Sequence, residues 1–136
     1  MIVVDSSVWI DFFGPRPTRQ SEWLDSILST ERILVGDLML TEVLQGCNSD
    51  AEFNQLRTEL LSFTILEMVD ETVAIEAARN YHILRGRGIT IRKTIDTLIA
   101  TRCILDGLPL LYSDRDFDPF VEHLGLVSAL DLPGVN

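Results

Sequence analysis

Ile2-Val3-Val4 is a continuous apolar run closed by an acid, Asp5. A run without polar alternation suits a strand buried on both faces, as in parallel sheets. Similar short runs occur at Ile33-Leu34-Val35, at Phe63-Thr64-Ile65-Leu66 and at residues 108–112, with Leu126-Val127 as a further edge candidate. Between them the apolar residues fall at helical spacing. A short helix carries Val8, Trp9, Ile10, Phe12 and Phe13 and stops at Gly14-Pro15-Arg16-Pro17, and a second covers residues 18–29. Further helices are expected from a cap at Asp37 to Gly46, and over residues 50–61, 70–85 and 94–106. The 70–85 helix presents Val73, Ala74, Ala77, Ala78 and Tyr81 on one face, and a last helix runs from Asp114 or Asp116 to His123. Strands alternating with helices imply an α/β fold: a central parallel sheet of four to five short strands with helices on both faces.

At 136 residues the chain has length for one core, so residues 1–136 are read as a single domain whose last few residues form a flexible tail. A hydrophobic fraction of 46% and a mean hydropathy of +0.20 exclude a disordered polymer. No apolar stretch approaches the roughly 20 residues of a membrane span, and no basic leader precedes Asp5. Cys47 and Cys103 are too few for a disulfide framework and are expected as reduced thiols in a cytoplasmic protein.

Four acids interrupt this apolar scheme. Asp5 and Asp114 follow apolar runs, at what would be the carboxyl ends of strands; Glu42 breaks the set Leu38, Met39, Leu40, Val43, Leu44; and Asp96 lies in the first turn of a largely apolar helix. Each has an ordinary structural reading. Asp5 can cap the helix after it, Glu42 can share a solvent stripe with Thr41 and Gln45, and Asp114 can be a cap or turn residue. Asp96 is favoured by the helix dipole whatever its function. All four at the ends of adjacent elements is a stronger pattern than any one. Ligands of open parallel sheets bind beyond the strands' carboxyl ends. Carboxylates gathered there repel one another, and a divalent cation relieves that repulsion. An all-oxygen donor set selects a hard ion, Mg²⁺ or Mn²⁺, and such a site suits hydrolysis of a phosphodiester. His82 and His123 sit on separate helices, no Cys–His spacing fits zinc, and there is no glycine-rich phosphate loop.

The net charge of −10 argues against nucleic-acid binding through the overall field. The charge is uneven, however. Residues 77–95 contain no Asp or Glu but hold Arg79, Arg85, Arg87, Arg92 and Lys93. Arg85, Arg87, Arg92 and Lys93 are candidates for RNA phosphates; for Arg85 and Arg87 a solvated helix end explains the charge equally well.

The runs Val4-Asp5-Ser6-Ser7-Val8-Trp9-Ile10-Asp11-Phe12, Thr41-Glu42-Val43-Leu44-Gln45-Gly46, Asp96-Thr97-Leu98-Ile99-Ala100 and Ser113-Asp114-Arg115-Asp116-Phe117 resemble those of PIN-domain ribonucleases. More narrowly, they resemble the VapC toxins of bacterial type II toxin–antitoxin modules, over residues 1 to about 130. The resemblance implies that Asp5, Glu42, Asp96 and Asp114 form an acidic metal-binding and catalytic set, with Asp116 as a fifth, assisting acid. It implies supporting hydroxyls at Ser6 and Ser113; Asp11 is expected to be structural or exposed, and Asp118 a solvent-facing or turn residue preceding Pro119. It further implies Mg²⁺- or Mn²⁺-dependent endoribonuclease activity, a homodimer or larger assembly, and neutralisation by a cognate VapB-type antitoxin. Such an antitoxin would aim a basic side chain at the acids and lay an amphipathic helix along the apolar helices between Trp9 and Leu44, although Trp9, Phe12 and Phe13 can equally be core.

Two alternatives remain open on sequence alone. One is a non-catalytic module that keeps the fold for partner assembly. The other is a phospho-acceptor or phosphatase domain using Asp5. That chemistry needs a balancing lysine, for which only Lys93 is present, and the phosphatase pattern's second acid is replaced by Ser7.

Overall fold

The computed structural model describes residues 1–135; Asn136, the end of the expected flexible tail, lies outside the described residues. The elements run in the order β1 (Ile2–Val4), α1 (Ser6–Phe13), α2 (Arg19–Ile27), β2 (Ile33–Gly36), α3 (Asp37–Gln45), α4 (Asp50–Leu60) and β3 (Thr64–Leu66). There follow α5 (Glu71–Gly86), α6 (Thr94–Asp106), β4 (Leu110–Leu111), a 3-10 turn (Arg115–Phe117), α7 (Asp118–Leu124) and a second 3-10 turn (Ala129–Asp131). The four strands pair in parallel in the order β3-β2-β1-β4. Val3 stands between Leu34 on one side and Leu110 on the other.

Because side chains alternate across a strand, the unbroken apolar runs feed two cores. Ile2, Val4, Ile33 and Val35 face one layer with Val8, Trp9, Leu24 and Leu60. Val3 and Leu34 face the other, with Met39, Met68, Leu84, Ile99, Leu110, Phe117 and Phe120. Helices therefore cover both faces, as the continuous runs require. The chain leaves β1 toward β2 and β3, then returns to place β4 on β1's other edge. That reversal lies between β1 and β4, where the Asp5 N–H donates to the Leu111 carbonyl at 2.9 Å. A crevice at such a switch point is where parallel sheets bind ligands.

Several local expectations need correction. β4 is two residues long rather than residues 108–112, because Pro109 has no N–H to donate and serves only as acceptor for Val3 N. Leu126-Val127 forms no strand. The segment touches the sheet through one isolated bridge, Leu110 with Ser128, and the Leu110 N–H bonded to Val127 O. Asp37 is not the cap of α3. Gly36 holds that position, and Asp37 Oδ1 accepts from Leu38 N at 2.8 Å and Met68 N at 3.2 Å. On α5 only Val73, Ala77 and Leu84 are buried, while Ala74 and Ala78 face outward. The last helix is split into the 3-10 turn and α7. Cys47 and Cys103 are both free thiols.

Candidate metal centre

Asp5 ends β1 and caps α1, its backbone extended and its Oδ2 accepting from Ser7 N at 3.1 Å and Ser7 Oγ at 2.6 Å. It is 4% exposed, and burial raises its pKa above 3.8 against the opposing bonds from Ser7, with a further push from Asp114. Asp114 leaves β4 and caps the 3-10 turn, Oδ1 accepting from Asp116 N at 2.9 Å. Burial pushes Asp114 up, but this backbone bond and the Lys93 ammonium together outweigh it and hold its pKa low. Asp96 sits in the first turn of α6 and is 5% exposed. Its Oδ2 is buried without a hydrogen-bond partner, and Lys93 Nζ stands 3.8 Å away, too far to bond. Burial drives the Asp96 pKa up to about 7, Lys93 opposing and the charges of Asp5, Asp114 and Asp116 adding to the rise.

Asp96, Asp114 and Asp116 each bring a carboxylate oxygen within 4.8 Å of the others'. Glu42, on α3, is half-buried, and Ser6 Oγ, next in sequence to Asp5, donates to its Oε1 at 3.2 Å. Burial raises the Glu42 pKa, and the charge of Asp5 raises it further. The five predicted acids thus share one electrostatic neighbourhood. Its tight core is Asp96, Asp114 and Asp116, with Asp5 and Glu42 flanking.

The donor set passes a chemical test for a divalent ion. A buried carboxylate oxygen with no partner is costly to keep ionised, and every convergent atom is a hard oxygen ligand. These residues fit a divalent metal.

A family model described as PIN domain matches residues 2–121. The chain belongs to the PIN domain family. Among its relatives, the VapC ribonuclease Mb1587 of Mycobacterium bovis is 29% identical over 132 residues, covering 95% of this chain and 98% of that one. Ribonuclease VapC11 of Mycobacterium tuberculosis matches to the same extent. Among solved structures, FitAcB of Neisseria gonorrhoeae superposes with a TM-score of 0.73 at 23% identity, covering 94% of this chain and 96% of that one. VapBC2 of Rickettsia felis, bound to a DNA fragment from its promoter, gives 0.74 at 16%, covering 94% and 97%. These structures share the PIN fold with this chain.

Around the acids of this PIN domain, the structure redistributes the supporting residues. Ser6 touches Glu42 as a carboxylate-bonding hydroxyl should, whereas Ser113 contributes its backbone N–H, which donates to Ser7 Oγ at 3.3 Å. Ser7, singled out in the sequence only as the residue replacing a phosphatase acid, bonds both Asp5 and the Ser113 backbone. Its signal was the Asp-x-Ser spacing of a capping turn. Lys93 is turned onto the acids, 3.0 Å from Asp114 Oδ2 and 3.5 Å from Asp116 Oδ2. Arg87 is turned away, against His123 Nδ1 at 3.2 Å, and Arg85 is exposed at the end of α5. Arg92 lines a cleft of about 140 Å³ with Asp116 and Arg115, the latter a cation the acid-free window could not reveal. Asp118, expected at the surface, accepts from the Tyr112 hydroxyl at 2.8 Å.

Proposed function

We propose that the chain is a Mg²⁺- or Mn²⁺-dependent endoribonuclease, the toxin of a VapBC-type module. The observation that carries this reading is the orphaned Asp96 Oδ2 beside Asp114 and Asp116, in a chain whose relatives are named VapC ribonucleases. Asp96, Asp114 and Asp116 would hold the ion, with Asp5 and Glu42 at its border. When bound, the ion supplies Lewis-acid activation of water and charge stabilisation on the phosphodiester. The rest is the work of this chain. Ser7 fixes the Asp5 carboxylate and Ser6 orients Glu42. Arg92 and Arg115, on the cleft beside Asp116, take phosphates flanking the scissile bond. Asp5 serves this site rather than a phospho-acceptor one, because its Oδ2 is doubly bonded to Ser7 and Lys93 bonds Asp114 instead.

A VapB-type antitoxin belongs to the same reading. Trp9 cannot take part in its groove, being fully buried against Phe12, Phe13 and Phe63. The apolar residues left at the surface nearby are Ile10 and Phe53, with Leu40 and Leu44 bordering a depression of about 340 Å³. The homodimer also belongs to it, and exposed Ile75 and Ile83 on α5 supply apolar surface for one. Among the described residues no helix is long and apolar enough to cross a membrane, which is compatible with a cytoplasmic toxin.

The test is cleavage of a mixed cellular RNA pool by purified antitoxin-free protein with Mg²⁺, with Mn²⁺ and with EDTA, beside Asp5→Asn and Asp96→Asn. Discrete fragments that need metal and vanish in both variants are the expected result. Intact RNA in every lane, with the protein folded and metal-loaded, refutes the nuclease and favours the non-catalytic module.

A further inference from the structure

Lys93 is the only lysine in the chain, and it occupies an unfavourable place. It is the N-cap of α6 and makes no side-chain capping bond. Ser, Thr, Asp or Asn is preferred there, and a cation at a helix N-terminus opposes the dipole. A residue that breaks two local rules needs a compensating interaction. Its ammonium supplies one, reaching Asp114 Oδ2 at 3.0 Å, Asp116 Oδ2 at 3.5 Å and Asp96 Oδ2 at 3.8 Å. These are the three acids of the tight cluster. The lysine side chain is 52% exposed, so its flexible stem is free to swing into solvent.

We propose that Lys93 is a tethered counter-ion for this cluster: its ammonium neutralises Asp96, Asp114 and Asp116 in the metal-free chain and leaves them when a divalent cation binds. The inference rests on the metal-centre reading above. Its core is competition. An ammonium within 4 Å of all three carboxylates and a divalent ion seeking oxygens at ~2.1 Å cannot share the cluster without mutual repulsion. Metal loading is then an exchange of a tethered single charge for a double one. The exchange keeps the acids from repelling one another between loading events, and it weakens the apparent metal affinity by the strength of the lysine's own contacts.

Having a single lysine makes the exchange directly visible. In full-length protein labelled with ¹⁵N,¹³C-lysine, one side-chain signal reports Lys93. Titration with Mg²⁺ alone, without RNA, moves that signal toward the position of a solvated lysine, saturating together with Mg²⁺ binding measured by calorimetry. Lys93→Met binds Mg²⁺ about threefold to tenfold more tightly than the parent, and Lys93→Arg, which keeps the competing charge, does not. Lys93→Met also melts lower in EDTA and recovers with Mg²⁺. A lysine signal that stays fixed while Mg²⁺ binds overturns the exchange, as does an unchanged or weakened affinity in Lys93→Met. Absence of any Mg²⁺ or Mn²⁺ binding by the parent chain overturns the metal reading itself, and the exchange with it.

Discussion

Replacing Asp96 by Asn should make the metal-free protein more stable at pH 8, while destroying its metal response. The Asp96 pKa is raised by burial from an ordinary 3.8 to about 7, so ionising this group costs more in the folded chain than in the unfolded one. The sign follows from linkage: stability from this group is full below about pH 4, declines as pH rises toward 7, and levels off above about pH 8. At ~1.4 kcal/mol per pH unit, the full penalty is at most about 4 kcal/mol. The Asn variant escapes it, and the 3.8 Å attraction to Lys93 enters no second time because the raised pKa already contains it. It also leaves a buried amide to be satisfied, at about 1–2 kcal/mol. The net expectation is a gain of about 2–3 kcal/mol at pH 8 in EDTA, or about 9 °C in Tm. At pH 5 the gap should close, because the penalty has fallen to about 1.2 pH units, ~1.6 kcal/mol, which the cost of the buried amide offsets. Saturating metal reverses the order, since a ligand at about 1,000 times its Kd stabilises the parent by about 4.1 kcal/mol and the variant loses most of that. Urea denaturation at pH 5 and pH 8, with EDTA and with Mg²⁺, reads all four conditions. An Asn variant no more stable than the parent at pH 8 in EDTA, or a gap of the same size at both pH values, would refute the reasoning.

Gly36→Ala should cost about 1–3 kcal/mol in urea melts, because its Cβ would lie 2.6 Å from Met39 Sδ and 2.7 Å from Met68 Sδ, both fully buried. Ser7→Ala removes the 2.6 Å bond to Asp5 and the acceptor for Ser113 N, so about 1–2 kcal/mol of stability and part of the RNA cleavage rate should go together. Equal cleavage by Ser7→Ala at full folding would separate Asp5's capping role from its site role. Arg92→Ala combined with Arg115→Ala should weaken RNA binding and flatten its log–log salt slope by about 1.4, two contacts at ~0.7 each. An unchanged slope in filter binding would remove both residues from the RNA path.

Much of the fold could be read from the chain because fully buried strands write themselves as unbroken apolar runs. Ile2-Val3-Val4 and Ile33-Leu34-Val35 feed both cores at once, and no helix or half-exposed strand needs such a pattern so close to an acid. What escaped was set by hydrogen bonds that hydropathy does not encode. Residues 108–112 are apolar enough for a strand, yet Pro109 supplies no donor, and the ladder shrinks to Leu110–Leu111. Asp37 looks like a cap by residue type, but its Oδ1 is claimed by Met68 N from 31 residues away as well as by Leu38 N. Only tertiary structure assigns that bond.

At the acids, the structural and functional readings set against each other by sequence prove compatible, because a carboxylate has two oxygens. Asp114 spends Oδ1 on the Asp116 backbone as a cap and turns Oδ2 toward Lys93 and the cluster. Asp5 caps α1 through Oδ2 while its charge still bears on Glu42 and Asp96. Asp96 lies in the first turn of α6. Each of these acids therefore sits at the start of a helical element, where exposed backbone N–H groups favour negative charge and fix the side chain. The caps do part of the work of positioning the cluster. This is why Asn at position 114 would keep the turn but not the charge, whereas Ala would lose both. It also explains why capping propensity alone could never separate a structural acid from a metal-binding one here.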